Sequence, residues 1–298
     1  MAAGLVSAIS NVVLCTIFIR GLGPIPAMGF IGAPLAMSVC DGLQMGVILA
    51  LAAREDDFKS VWGSGWSSDA LKGWGAYLRL GFPSLILFLV EWVSWDILVF
   101  LAGLLGPTPQ AAQSALPYIL NYPTYFVGAG LGSATTVLIG NKLGEGRANG
   151  ARAVARVAFA TGIVAMALTV GGMSLLREAG ICLLTTNAEL AEQIRQIYPF
   201  SAAFSFLDGS VMIVLTGILI GAGQQGMAAP FIFLSYWIIG IPFGAYLAFA
   251  RSVGYVGLWI GLLLGELVHD VSFAVLVCRI RWTDVAEAAT AEAAAMTK

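Results

Sequence analysis

Long apolar runs alternate with short polar connections along this 298-residue chain. Eight of the runs approach the ~20 residues that a helix needs to cross a hydrocarbon core. They fall near 2–19, 28–52, 81–105, 112–139, 154–176, 197–221, 228–250 and 254–278. The pattern predicts an all-α integral membrane protein with about eight transmembrane helices. The fourth run is overlong and holds Pro117, Asn121 and Pro123, which predicts a kinked helix. Pro199 and Pro242 predict further kinks, tolerated where neighbouring helices or water satisfy the freed carbonyls.

The longest polar connection divides the chain into two spans over 1–53, a connection over 54–80, six spans over 81–279 and a tail over 280–298. Within the connection, Ser67-Ser68-Asp69 can cap a helix on which Leu71, Trp74 and Leu78 share a face. Trp62, Trp66, Trp74 and Tyr77 favour the headgroup level, so this helix is expected to lie in the interface. The tail after Trp282, rich in Ala, Glu and Thr, reads as a frayed helix.

Acidic side chains interrupt the apolar runs. Asp41 lies in the second, Glu91 and Asp96 in the third, Asp208 in the sixth, and Glu266 and Asp270 in the eighth. A carboxylate at bilayer depth costs about 2.5–3.5 kcal/mol on insertion scales, so such groups face a bundle interior or a water-filled cavity. Glu91 stands near mid-span and reads as a protonatable carboxylate that alternates between neutral and charged states. Asp96, five residues on, points about 140° away around an ideal helix. Asp41 reads as a structural or cavity polar group. Glu266 and His269 have the Glu-x-x-His spacing of di-iron bundles, but that chemistry needs several such ligands. His269 is the only histidine, so a polar cluster with Asp270 is the better reading and no metal is expected. Aromatic residues Phe88, Tyr118, Tyr122, Tyr125 and Trp237 could offer ring faces to a cation or simply pack between helices.

Composition supports the membrane class. Hydrophobic residues make up 59% and charged residues 11% of the chain, against roughly 25% charged in soluble domains; mean hydropathy is +0.87. The net charge of −2 leaves no basic surface for nucleic acid. Cys15, Cys40, Cys182 and Cys278 lack metal-ligand spacing and read as small hydrophobes. No basic segment precedes the apolar start, which argues against a removable signal peptide. Arg20, Arg177, Arg195 and Arg251 fall on one side of the predicted topology, and the remaining eleven of the 15 Lys and Arg residues on the other. The positive-inside rule makes that richer side cytoplasmic, with both termini inside. Glycine pairs at helical spacing (Gly140/Gly144, Gly217/Gly221, Gly240/Gly244, Gly261/Gly265) permit close helix packing.

Five stretches, taken in order, point to a family. The third run reads Glu91-Trp92-Val93-Ser94-Trp95-Asp96 and ends in Leu101-Ala102-Gly103-Leu104-Leu105-Gly106. The next ends in Gly140-Asn141-Lys142-Leu143-Gly144-Glu145-Gly146, and Gly221-Ala222-Gly223-Gln224-Gln225 follows the sixth. Tyr236-Trp237-Ile238-Ile239-Gly240-Ile241-Pro242 and Gly257-Leu258-Trp259-Ile260-Gly261 mark the last two. Together these resemble the second half of the eukaryotic multidrug and toxic compound extrusion (MATE) family, and Asn11 with the Gly21–Ala33 region resembles the two helices before it. The family has twelve spans in two six-helix lobes, so the resemblance implies a complete second lobe plus the end of the first. On that reading Met1 is not the natural start of a working transporter, and the chain alone is expected to insert but not to transport. The arginines usual in the family near Gly140 and before the Gly221 turn are Leu138 and Ile220 here. Counted back from Gly217, the family's second acid falls on Gly209; a one-residue gap brings it to Asp208.

The resemblance implies a secondary active antiporter that exports organic cations, xenobiotics or metabolites in exchange for protons or sodium. Glu91 and Asp208 would couple the ion, and Asp96, Trp92, Tyr118, Tyr122 and Glu266 would line the cavity. The implied partners are a small-molecule substrate, the coupling ion and membrane lipid, with no cofactor, in a plasma or organelle membrane. A lipid-linked oligosaccharide flippase of the same superfamily, a non-transporting remnant and a membrane-embedded enzyme are the alternatives. The last lacks a His cluster and a nucleophile–base arrangement.

Overall fold

The computed structural model describes residues 2–22, 25–54 and 74–296. Two compact units, Met1–Ala76 and Tyr77–Lys298, each have their own internal packing. In the first, α1 (Ala2–Arg20) packs against α2 (Gly32–Ala52), which a 3-10 turn at Gly29–Ile31 precedes. A Cβ at Gly32 would lie 2.5 Å from the Phe18 carbonyl oxygen. The Met28 N–H donates to that same oxygen at 2.9 Å, so glycine lets the chain return tightly onto the end of α1. Asp41 is exposed on α2. Trp62, Trp66 and the Ser67-Ser68-Asp69 cap of the expected interfacial helix lie outside the described residues, and Trp74 opens α3 (Trp74–Leu105).

In the second unit, Gly106 (φ +138°) separates α3 from α4 (Pro107–Ile119). The single kinked helix expected over 112–139 is two helices: Leu120 leaves helical geometry (φ −131°, ψ −56°) and α5 (Asn121–Gly144) begins anew. Pro123 sits in the first turn of α5, where its missing N–H has no intrahelical partner to lose, so it suits a helix start rather than a kink. Next come α6 (Ala148–Leu175), α7 (Arg177–Leu184) and α8 (Ala188–Leu207), which runs through a π turn at Asp208–Met212 into α9 (Ile213–Gly221). Beyond these, α10 (Gln225–Phe233), a π stretch at Leu234–Gly240, α11 (Ile241–Ala245) and a second π stretch at Tyr246–Ala250 form one broken rod. The unit ends with α12 (Tyr255–Cys278) and α13 (Trp282–Met296).

Among the described residues, five stretches are long and apolar enough to cross a membrane: Gly29–Ala52, Ala148–Leu175, Ala188–Gly221, Gln225–Ala250 and Tyr255–Cys278. Gly4–Arg20 and Trp92–Leu105 are shorter apolar helices. Helices occupy every run predicted from the sequence, and five of them meet this length and apolarity. The tail is not frayed. Trp282, Val285, Ala286 and Ala289 form a helical stripe packed into the core, and α13 lies against α5 and α6.

Glycine sets the closest crossings. On α9, a Cβ at Gly217 would meet the Gly132 carbonyl oxygen of α5 at 2.5 Å, and one at Gly221 the Thr136 carbonyl oxygen at 2.8 Å. The Thr136 hydroxyl donates to the Gly217 carbonyl at 3.0 Å across the same contact. On α12, a Cβ at Gly261 would fall 2.3 Å from the Gly244 Cα, and one at Gly265 2.8 Å from the Ser235 carbonyl oxygen. Three of the four predicted glycine pairs therefore sit at backbone-to-backbone crossings. Among the described residues the fourth does not: Gly144 has open space around it and Gly140 meets only the Gly221 oxygen, at 3.9 Å.

Gly261→Ala is expected to lower stability by about 1–3 kcal/mol, because backbone rather than a flexible side chain must yield. Gly140→Ala should be neutral or slightly stabilising. Thermal unfolding of both variants in one detergent checks this, and equal melting temperatures would contradict the packing account.

Candidate functional site

The break at Leu120 borders a cavity of about 290 Å³ within the second unit. Trp92, Trp95, Asp96 and Val99 line it from α3, and Gln113, Ser114, Pro117 and Tyr118 from α4. Asn121, Tyr122 and Tyr125 come from α5, and Phe204 and Asp208 from α8 and its π turn. Two serines one turn apart on α8 hold the start of α5. The buried Asn121 amide donates to the Ser205 hydroxyl at 2.9 Å, and its carbonyl oxygen accepts from the Ser201 hydroxyl at 3.0 Å. Gln113 is fixed by the Tyr255 hydroxyl, which donates to its carbonyl oxygen at 2.7 Å. The Trp237 indole N–H donates to the Val90 carbonyl at 3.0 Å and ties α3 to the π stretch.

The aromatic walls are interlocked edge to face. Trp92 meets Tyr125 at 6.4 Å between centroids, Tyr118 meets Tyr122 at 5.2 Å, and Trp95 meets Phe204 at 5.3 Å. Such pairs hold their rings in defined orientations. Two carboxylates, Asp96 and Asp208, share the space with these rings, and among the described residues no Lys or Arg lines it. Ring faces and carboxylates both attract positive charge, so the cavity suits a cation with apolar bulk.

The π turn explains where Asp208 points. A π turn closes its hydrogen bonds over five residues rather than four and so takes in one residue more than an α turn. Counting back from Gly217 in α-helical register reaches Gly209, but that position faces α6: a Cβ there would lie 2.3 Å from the Met166 sulfur. Asp208, one residue earlier, lines the cavity.

Of the residues singled out from the sequence, Trp92, Asp96, Tyr118, Tyr122 and Asp208 come together here. Glu91 lies on α3, with its side chain outside the described residues. Glu266, expected to line the cavity, does not. It is fully buried on α12 and accepts a hydrogen bond from the Tyr236 hydroxyl. The apolar packing of α12 on the π stretch encloses it, which mid-span position alone did not reveal. Sequence reasoning passed over Trp95, Gln113 and Phe204. Gln113 could have been found: it is a polar residue in an apolar run, the criterion applied to the acids. Outside the spans, a hydrogen bond from Lys142, reinforced by Arg147, holds the Glu145 carboxyl below the usual range. Arg195 and Arg177 do the same for Glu178.

Residues 83–246 match the model of the family described as MatE. The chain is 30% identical over 294 residues to "Multidrug and toxin extrusion protein 1" of Oryctolagus cuniculus, covering 98% of this chain and 50% of that protein. Its human counterpart gives the same identity and coverage. The Danio rerio protein of that name is 33% identical over 75% of this chain and 38% of its own. The chain thus spans about half the length of the curated relatives it matches. Among solved structures, the eukaryotic MATE transporter AtDTX14 superposes with a TM-score of 0.85 at 24% identity, over 98% of this chain and 64% of that one. An inward-facing multidrug resistance MATE family transporter of the MOP superfamily gives 0.70 at 18% identity, over 96% and 64%. With the family model matched over more than half of its length and these relatives over nearly all of it, this chain belongs to the MatE family.

Proposed function

We propose that this chain is the cavity-bearing part of a multi-pass membrane transporter that exports small organic cations in exchange for protons or sodium. The observation that carries the reading is the aromatic cavity holding Asp96 and Asp208 with no Lys or Arg among its described lining residues. Two carboxylates beside ring faces favour a cation whose charge the acids meet and whose apolar body the aromatic residues cover. A lipid pyrophosphate would instead require cationic lining residues, which weighs against the flippase alternative. In this reading residues 81–279 are the second lobe and 1–53 the end of the first. Both termini are cytoplasmic, following the distribution of Lys and Arg.

Coupling follows from competition for negative charge. When a proton or sodium ion neutralises Asp208 or Glu91, the cavity loses its hold on a cationic substrate. When the ion leaves, the substrate is favoured. A ligand shifts a conformational equilibrium only by binding two states differently, and this exchange provides that difference. The π turn beside Asp208 and the break at Leu120 are the places where α8 and α5 depart from regular helix, so they are where the cavity changes shape most readily.

Asp208→Asn is expected to weaken binding of tetraphenylphosphonium to the purified chain about tenfold, equivalent to about 1.4 kcal/mol. Quenching of tryptophan fluorescence in detergent reads the change. Unchanged affinity would remove Asp208 from the cation site. Glu91→Gln, placed in a complete transporter carrying this lobe, should preserve insertion and abolish gradient-driven exchange. Uptake into proteoliposomes under an imposed ion gradient measures it, and coupled exchange at the parent rate would count against the assigned role.

A further inference from the structure

A second polar cluster lies within the helix packing, apart from the cavity lining. Glu266, His269 and Asp270 are 0%, 0% and 5% exposed. Their spacing of three and four residues puts them on one face of α12. That face meets the π stretch Leu234–Gly240, where the Tyr236 hydroxyl donates to Glu266 Oε2. The His269 ring stands edge-on to Tyr236 at 5.7 Å and to Phe273 at 4.1 Å between centroids. Among the described residues neither ring nitrogen of His269 and neither carboxyl oxygen of Asp270 has a hydrogen-bond partner, and the Ser235 hydroxyl also lacks one.

Groups of this kind are rarely buried without a reason. Each unpaired buried polar atom costs about 1–3 kcal/mol, and such atoms are few in native proteins, so each calls for a physical explanation. The glycine crossing beside the cluster keeps it closed: a Cβ at Gly265 would already meet the Ser235 carbonyl oxygen at 2.8 Å. Among the described residues no three His, Cys, Asp or Glu side chains converge as a metal ion requires. Two carboxyl groups and an imidazole in an apolar enclosure are instead groups that take up and release protons, and they do so without needing space for a larger ligand.

We infer that Glu266, His269 and Asp270, with Tyr236, form an enclosed proton-holding site separate from the aromatic cavity. A proton taken from solution adds to a carboxyl or imidazole atom of the cluster and returns to solution in alkali, so no other reactant is needed. Because Ser235 and Tyr236 belong to the π stretch that α12 crosses, proton occupancy is linked to the packing of that crossing. Titratable residues on the elements packed against α12 are Tyr236 and Tyr246 of the π stretches, Asp208 of the π turn, and Glu189, Glu192, Arg195 and Tyr198 of α8; α3 and α4, which meet α12 through Trp95–Trp259 and Gln113–Tyr255, carry Glu91, Asp96 and Tyr118. Tyr236 touches the cluster directly. The inference rests on the contacts of α12 and does not depend on substrate export.

His269 is the only histidine in the chain, so nitrogen-15 histidine labelling reports this site alone. The purified protein in zwitterionic lipid nanodiscs is titrated from acid to alkaline buffer. Its imidazole nitrogen resonances and its infrared protonated-carboxyl band are followed together. The expected result is a pH-dependent imidazole shift in the wild type, whose midpoint moves by about one pH unit in Asp270→Asn, a tenfold change in proton affinity. Part of the carboxyl band should also be lost in Glu266→Gln or Asp270→Asn. Tyr236→Phe, which removes one hydroxyl from the cluster, is also expected to move the midpoint and serves where a carboxyl variant fails to fold. Imidazole resonances that stay constant across the titration would overturn the inference. So would a carboxyl band and imidazole midpoint that survive all folded variants unchanged. Neither outcome bears on whether the cavity binds an organic cation.

Discussion

Backbone contact between helices, made possible by glycine, is the constraint from which the rest of the second unit follows. Water drives apolar side chains together in a soluble protein, but in a bilayer the lipid tails are as apolar as the side chains. Close approach of helix backbones, with the dispersion contacts and hydrogen bonds that it permits, supplies the specificity. Gly217 against Gly132 and Gly261 against Gly244 bring carbonyls and Cα atoms to distances that no side chain allows. The Thr136 hydroxyl adds a hydrogen bond across the first crossing. With α5 fixed to α9 and α12 fixed to the π stretch, the remaining space lies where the chain departs from regular helix.

The cavity occupies such a departure. At Leu120 the chain leaves helical geometry, and Asn121 is then held by Ser201 and Ser205. Aromatic residues of α3, α4 and α5 brace one another around the opening. On the facing helix Asp208 opens a π turn and lines the cavity, while Gly209 faces Met166. The same device recurs where Leu234–Gly240 meets α12, and the buried Tyr236–Glu266 pair lies there. In both places a π segment accompanies an acidic side chain: Asp208 lies within one, and Glu266, on the regular helix α12, meets the other through Tyr236.

Much of the fold was legible in the sequence because a bilayer-spanning helix requires a long apolar run, and such runs are easily counted. The family was legible because Glu91-Trp92, the Gly140–Gly146 signature and the later glycine motifs occur in order. Helix breaks were harder to read. Pro123 looks the same in a kinked helix and in the first turn of a new one, and only the geometry of Leu120 distinguishes them. The depth of an acid was legible, but not its direction: Asp208 and Glu266 both fall well inside apolar runs, yet one lines the cavity and the other is sealed against Tyr236. Gly140/Gly144 and Gly261/Gly265 share a spacing, yet only the second pair meets a neighbouring backbone, because contact depends on which face is opposed.

The central claim is that the aromatic cavity holds an organic cation against Asp208 and Asp96. The most direct measurement is a crystal structure of the chain with tetraphenylarsonium, located by the anomalous scattering of its arsenic atom. The account predicts an arsenic peak inside the cavity bounded by Tyr118, Tyr122 and Asp208, with phenyl rings against the aromatic walls. A fully occupied arsenic site elsewhere on the protein, with this cavity unchanged, would contradict it.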